Sequence, residues 1–338
     1  MIRVGVIGLG MMGSTHLDVY SKRSDVTVLA ISDIDPERLA GKDKAQGNIE
    51  GQAQGGADLS AVRRYDEGMK LIADPDVELV DICLPTPLHA DYAIAALNAG
   101  KHVLVEKPFA RTARDADRLV AAAQRCRRTL MCAMCMRFWP GWTWLKERVA
   151  DQAYGKVCAA HFRRVSSHPG KSFYNDGQQC GGAILDLHIH DVDFVQYAFG
   201  RPKAVTSFGY RKVTSAIDHV VTRFDFGPRG PMVVAEGGWA MAPGFGFTMQ
   251  YTVNFTHATA VFDLAASDRL TLIRNGKKEP VQLEAGMGYE HEIDYLLRCL
   301  AGGQKPSIIT PRQAADAVRI VEAEVKSIQR GRKVSLTY

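Results

Sequence analysis

The sequence predicts an α/β chain in two parts, a doubly wound parallel sheet followed by an α+β domain with a large open, mostly antiparallel sheet. Three observations predict it. Short apolar runs alternate with helical segments over the first part, a glycine-rich turn joins the first run to the first helix, and past about residue 150 the pattern changes to strict alternation. Its 338 residues give the same two parts at about 150 residues per domain.

The elements follow in order. Ile2–Gly8, Val26–Asp33, Glu78–Leu84 and Lys101–Glu106 are apolar enough for strands covered on both faces. Helical stretches separate them: Leu88–Asn98 closes at Gly100, and Thr112–Arg127 opens on a Thr112/Asp115 cap and carries Ala116, Leu119, Val120 and Ala123 on one face. Repeated β–α units imply a parallel sheet with helices on both sides. A glycine-rich loop is expected at 47–56. Beyond it, Phe247, Met249, Tyr251, Val253 and Phe255 alternate with Thr248, Gln250, Thr252 and Asn254, the period of a strand with one apolar face. Ala204–Val213, Val220–Phe226 and Met232–Trp239 read as its companions. Ile293, Leu296, Leu297 and Leu300 mark a late helix; a last one has Thr310 as N-cap, Pro311 at N1 and Gln313 at N3, and stops at Gly331. The expected division is 1–136 and 137–338, with the closing helix packing back toward the first domain.

Composition narrows the function classes. Hydrophobic residues make up 46% and charged residues 23%, as in ordinary globular chains. No run reaches the ~18 apolar residues of a membrane span, and Ile2–Gly10 has no cleavage-site pattern. A cytoplasmic protein without membrane partners is expected. The net charge of +5 comes from 42 basic and 37 acidic residues without the continuous basic stripe of a nucleic-acid face. Seven cysteines make no secreted-type framework. Cys132 and Cys135 form a CxxC, but RTLMCAMCMRF reads as a strand, which would turn the two thiols to opposite faces.

The first strand runs into Gly8-Leu9-Gly10-Met11-Met12-Gly13 and then a helix. Dinucleotide binding needs such glycines for a tight turn, close approach to a pyrophosphate and close helix–strand packing, and the helix N-terminus favours the phosphates. Asp33 ends the next strand, where its carboxylate suits the ribose hydroxyls of NAD and repels the 2′-phosphate of NADP. Asp35 adds negative charge; Arg38 is the counterweight, able to pair with a 2′-phosphate or with Asp35. NAD is therefore expected in preference to NADP, on a Rossmann domain.

Two further segments carry chemistry. Glu106-Lys107-Pro108 ends a strand at the sheet edge where ligands of such folds bind. Gly181 to Asp191 contains Asp186 and His190, which share a face if the segment is one helix. With the opening IRVGVIGLGMMG, the block PTPLHADYAIAALNAGKHVLVEKP, GGAILDLHIHDVD and the closing TPRQAADAVRIVEAEVKSIQRGRKV, the chain resembles the glucose–fructose oxidoreductase/inositol dehydrogenase/rhizopine-catabolism (Gfo/Idh/MocA) family over nearly its whole length. That resemblance implies a Rossmann domain, an open-sheet second domain and NAD(P)-dependent redox chemistry on sugars, polyols or related compounds. It matches Lys107, Asp186 and His190 to the catalytic positions. His188 departs from the glycine many members carry. On a continuous helix it projects away from Asp186, so no metal is expected; it is expected to face the sheet or a subunit contact, with the substrate entrance as the alternative.

The expected chemistry is hydride transfer between nicotinamide and a carbinol carbon. His190 would exchange the hydroxyl proton, Asp186 would orient it, Lys107 would polarise the reacting oxygen, and Glu106 would orient Lys107 or the cofactor. Leu84, Pro85, Thr86 and His89 are expected along the nicotinamide side. Arg137 could bind a substrate hydroxyl or carboxylate, Trp139 and Trp142 could stack on a sugar face, and His168, Tyr174 and Tyr289 lie in or beside loops over the substrate. Two alternatives use the same fold: a redox-neutral NAD-dependent glycosidase or eliminase, and a non-catalytic NAD(P)-binding sensor. The polar face at Thr248–Asn254 suggests a homodimer or homotetramer through the second sheet.

Overall fold

The computed structural model describes residues 1–41 and 59–338; the glycine-rich loop expected at 47–56 lies outside them. The chain forms two units, Met1–Cys135 with Tyr289–Ala315, and Met136–Gly288 with Asp316–Tyr338. The expected division left 289–315 in the second domain; instead this stretch packs on the first sheet's unit.

In the first unit, β1 (Ile2–Ile7), α1 (Met11–Ser21), β2 (Val26–Ser32), α2 (Pro36–Leu39), β3 (Arg63–Tyr65), α3 (Gly68–Ile72), β4 (Leu79–Ile82), α4 (His89–Asn98), β5 (His102–Glu106), α5 (Ala113–Cys126) and β6 (Leu130–Ala133) follow one another. The sheet order is β3-β2-β1-β4-β5-β6, all parallel. Strand order reverses between β1 and β4, and that switch point opens a crevice beyond the strands' carboxyl ends. Val4, Val6 and Ile7 of β1 and Leu79, Val80 and Ile82 of β4 are buried because helices cover both faces. The cap of α5 forms as read: Thr112 Oγ1 accepts the Asp115 N–H at 3.1 Å and donates to the Asp115 carboxylate at 2.8 Å. Arg127, in the left-handed region at φ 53°, ends that helix.

The CxxC expectation needs correcting. β6 stops at Ala133, the Met134 N–H turns back to the Cys132 carbonyl at 2.9 Å, and Cys135 opens a short 3-10 turn. Both thiols are buried, and no disulfide joins them.

The second unit contains α6 (Trp142–Ala150), β7 (Val157–Ser167), α7 (Ser172–Asn175), α8 (Gly177–Cys180), α9 (Ala183–Asp186), α10 (Ile189–Phe199), β8 (Ala204–Tyr210), β9 (His219–Asp225), β10 (Met232–Met241), β11 (Phe247–Phe255), β12 (Thr259–Asp263), β13 (Leu270–Arg274) and β14 (Lys277–Pro280). With β15 (Val334–Ser335) they order as β14-β13-β12-β11-β7-β10-β9-β8-β15, antiparallel except for β7 with β10. Along β11 the alternation holds: Met249, Tyr251, Val253 and Phe255 are buried, Thr252 and Asn254 exposed. Trp142, expected as a candidate sugar platform, is instead fully buried, its ring 4.7 Å from Phe194 and 5.4 Å from Tyr251 by centroid. The Tyr251 hydroxyl donates to the Gly141 carbonyl at 2.7 Å, while the Trp142 indole N–H is buried without a partner among the described residues.

Two long helices close the chain. α11 (Gly288–Ala301) buries Ile293, Leu296 and Leu297, and Asp294 pairs with Arg23 of the first unit at 2.8 Å. α12 (Pro311–Arg330) opens on a reciprocal cap, Thr310 N–H to Gln313 Oε1 at 3.1 Å and Gln313 N–H to Thr310 Oγ1 at 3.3 Å. Among the described residues no helix is long and apolar enough to cross a membrane.

Candidate active site

The glycine turn is built by close approaches. Gly8 sits at φ +90°, and a Cβ there would lie 2.5 Å from the Cys83 carbonyl oxygen; at Gly13 it would lie 1.8 Å from the Gly8 carbonyl oxygen. Only glycine fits either position. At Gly10 a Cβ would meet nothing within 4 Å, so that backbone faces open space. Gly10 is the N-cap of α1, with no capping side chain and no acidic residue in the first turn, which directs the positive end of the helix dipole, through Met11 and Met12, at the crevice. Asp33 does more than the sequence suggested. Its Oδ2 accepts the Leu9 N–H at 2.7 Å and its Oδ1 the Asp35 N–H at 2.8 Å, so it ties the end of β2 to the glycine turn. Asp35 caps α2, and Arg38 pairs with it at 3.7 Å on the surface.

At the neighbouring strand ends, Leu84 is half-buried, Pro85 exposed and Thr86 buried at the start of a short 3-10 turn. His89 is not a cofactor contact as expected. It is buried, with Nδ1 2.8 Å from the Pro108 carbonyl oxygen and Nε2 2.7 Å from the Leu84 carbonyl oxygen. It clamps the loop after β4 to the loop after β5. Lys107 is half-buried at the end of β5, its own N–H donating to Glu106 Oε2 at 2.9 Å, and the following Lys107–Pro108 bond is cis.

Asp186 and His190 lie in the second unit, and the continuous helix expected for them is broken. α9 ends at Asp186 and α10 begins at Ile189, because the His188 N–H reaches back to the Ala183 carbonyl at 2.8 Å and widens the turn. Both side chains are half-buried. His188 is fully buried, with Nε2 3.2 Å from Glu324 Oε1 on α12; a Cβ on Gly237 of β10 would touch its ring at 2.5 Å. It therefore faces the sheet. His168 and Tyr174 gather at Trp239, with ring centroids 5.4 and 5.7 Å away, in a cluster that also holds Ala183 and Leu187. These two thus stand beside the Asp186 turn, against Trp239 of β10.

Three expected substrate contacts are corrected. Arg137 is buried and held by two bonds of 2.7 Å to Asp193, under the Tyr197 ring, so its charge is already matched inside the unit. Trp139 is a core residue, 4% exposed. Tyr289 stands beside a loop but is buried, in the first turn of α11.

Sequence reasoning named Glu106 but missed the buried group around it. His16, Tyr20, Asp81, Glu106 and Glu292 of the first unit are all buried close together. The available signal was Asp81, an acid in the middle of Leu79-Val80-Asp81-Ile82, a strand covered on both faces.

Residues 2–134 match the oxidoreductase family with an NAD-binding Rossmann fold, and 142–261 match its Gfo/Idh/MocA C-terminal domain. The chain belongs to the Gfo/Idh/MocA family. Its first unit is the family's NAD-binding Rossmann domain. Among the relatives of this family member, myo-inositol 2-dehydrogenase of Thermotoga maritima is 32% identical over 201 residues, 59% of this chain and 55% of that protein. The inositol 2-dehydrogenase of Salmonella typhimurium is 31% identical over 58% of this chain and 54% of its own. The chain thus spans little more than half the length of these relatives. Trans-1,2-dihydrobenzene-1,2-diol dehydrogenase of Bos taurus is 26% identical across 96% of both chains. Levoglucosan dehydrogenase, solved with NADH and levoglucosan, superposes with a TM-score of 0.86 over 100% of both chains at 22% identity, a likeness of fold.

Proposed function

We propose that this chain is an NAD-dependent dehydrogenase acting on a carbinol carbon of a sugar, inositol or related polyol. The observation that carries the reading is Lys107, half-buried at the carboxyl end of β5, on the sheet edge that also holds the Gly8–Gly13 turn. The turn suits a dinucleotide: Gly10 is open, and the α1 N-terminus has no acidic neighbour in its first turn. Asp33 and Asp35 favour NAD, since a 2′-phosphate there would meet two carboxylates.

Bound NAD supplies the hydride acceptor. The chain moves the proton and holds the reacting oxygen. Lys107 donates to that oxygen and stabilises negative charge developing on it. His190 takes the hydroxyl proton, an exchange an imidazole performs near neutral pH, and Asp186 orients its ring. The relatives named for inositol and dihydrodiol oxidation support this substrate class. The outward face of the second sheet, with Thr252 and Asn254 exposed, serves as the contact of a homodimer or homotetramer.

The test is NADH absorbance with NAD and a panel of sugars, inositols and sugar acids. NADH should appear with one class, and Lys107→Met and His190→Ala should each lower turnover on the order of 10²-fold or more. Near-normal turnover in either variant removes that residue from its role. Silence across the panel while NAD raises the melting temperature refutes the dehydrogenase in favour of a redox-neutral enzyme or a sensor.

A further inference from the structure

Beneath the glycine turn, the first unit buries ionisable side chains that the reaction above does not use. His16 lies on α1 one turn past Gly13, Asp81 on β4, Glu106 at the end of β5 and Glu292 on α11; His16, Asp81 and Glu292 are 0% exposed and Glu106 is 5% exposed. Burying an unpaired carboxylate costs far more than the ~1.5–3 kcal/mol gained from an aliphatic side chain, so such groups persist only when matched or held neutral.

The matching converges on His16. Its Nδ1 is 2.8 Å from Asp81 Oδ2, an oxygen that also accepts the Tyr20 hydroxyl at 2.8 Å. Its Nε2 is turned to Glu106 Oε1 at 3.4 Å, longer than a good hydrogen bond but within ion-pair range. With a carboxylate oxygen opposite each nitrogen, the ring is matched in charge only when both nitrogens carry protons, although Nε2 makes no hydrogen bond at its 3.4 Å distance from Glu106. Burial by itself disfavours the imidazolium, but the Asp81 carboxylate, together with Cys83 beside it, holds His16 well above an ordinary histidine. Cys83, whose Sγ lies 3.5 Å from both Asp81 Oδ1 and His16 Nδ1, is pushed up by burial and stays a thiol, and Tyr20 stays a phenol for the same reason. Glu106 faces His16 with one oxygen and accepts the Lys107 N–H with the other.

We propose that His16 is a positioning residue for Lys107: held as an imidazolium between Asp81 and Glu106, it fixes the Glu106 carboxylate against the Lys107 amide and so sets how the lysine side chain leaves β5. His89 holds the other side of the same segment through the Pro108 carbonyl. The role rests on the reading that Lys107 acts on the substrate oxygen, but the position it controls is measurable without turnover.

The experiment uses the full chain with its lysines dimethylated with ¹³C, the Lys107 signal being identified by its loss in Lys107→Met. His16→Gln and Glu106→Gln should each displace that signal and its titration, and the double variant should give the displacement of Glu106→Gln alone, because His16 acts through Glu106. An unmoved signal in His16→Gln, or additive displacements, overturns the proposal; a merely structural histidine would add its effect to that of Glu106. If His16→Gln does not fold, Tyr20→Phe loosens Asp81 from the far end, and its displacement must likewise vanish in the Glu106→Gln background. Turnover separates the two readings. A fall on the order of tenfold in kcat for His16→Gln, with NAD affinity kept, agrees with both. A Lys107→Met enzyme of near-normal rate sinks the functional role of the lysine while leaving the NMR result to decide its positioning.

Discussion

Glu292 gives the sharpest quantitative prediction. Its two carboxyl oxygens are buried without a hydrogen-bond partner among the described residues. Burial, and then the nearby Glu106 and Asp81 carboxylates, push it well above an ordinary glutamate, while His16 pulls the other way. The folded chain therefore carries Glu292 as the neutral acid. Below the ordinary value of 4.5 the carboxyl is neutral in both states and has no pH-dependent effect. As pH rises past it, the unfolded chain releases a proton that the folded chain keeps, so stability falls by about 1.4 kcal/mol per pH unit until the folded carboxyl itself ionises. Glu292→Gln keeps the shape and abolishes the titration. Its stability relative to the parent should therefore grow as pH rises from about 5, and stop growing only where the folded carboxyl ionises. Urea unfolding of both proteins at several pH values measures the gap directly, since the other titrating groups are common to both. A gap that stays constant across that range would show Glu292 ionised in the folded state and refute the account of the buried cluster.

Two other perturbations follow from the geometry. Gly13→Ala places a methyl 1.8 Å from the Gly8 carbonyl oxygen, so the turn must open; NAD affinity should fall by about 3 kcal/mol, on the order of 10²-fold, in a fluorescence titration, and an unchanged Kd would contradict the close approach. Arg137→Met leaves Asp193 buried and unpaired and should cost about 3–5 kcal/mol in denaturant unfolding, with part regained in Arg137→Met/Asp193→Leu. A loss below about 1 kcal/mol for the single change would mean that solvent reaches the pair.

Local rules made much of the molecule legible. The glycine turn, the Thr112 and Thr310 caps and the alternation along β11 each depend on a few neighbouring residues, and each formed as read. Where local reading went astray, a distant partner was the cause. Arg137 at a strand end reads as a ligand until Asp193, 56 residues away, neutralises it. His89 reads as a cofactor contact until the carbonyls of Leu84 and Pro108 take both ring nitrogens. The Asp186–His190 spacing fits one helix, yet His188 packs against Gly237 and Glu324, and the turn widens between them.

By itself, then, the sequence determined the two sheet types, the dinucleotide turn and the family, because periodicity, glycine sterics and short motifs act over a few residues. Only the tertiary structure decided which charged side chains are already matched in the interior. It alone joined His16, Asp81, Glu106 and Glu292 from four elements into one buried cluster. The physical reason is that burial and charge pairing depend on what lies opposite a side chain, and the opposite residue stands as much as 276 positions away (16 to 292).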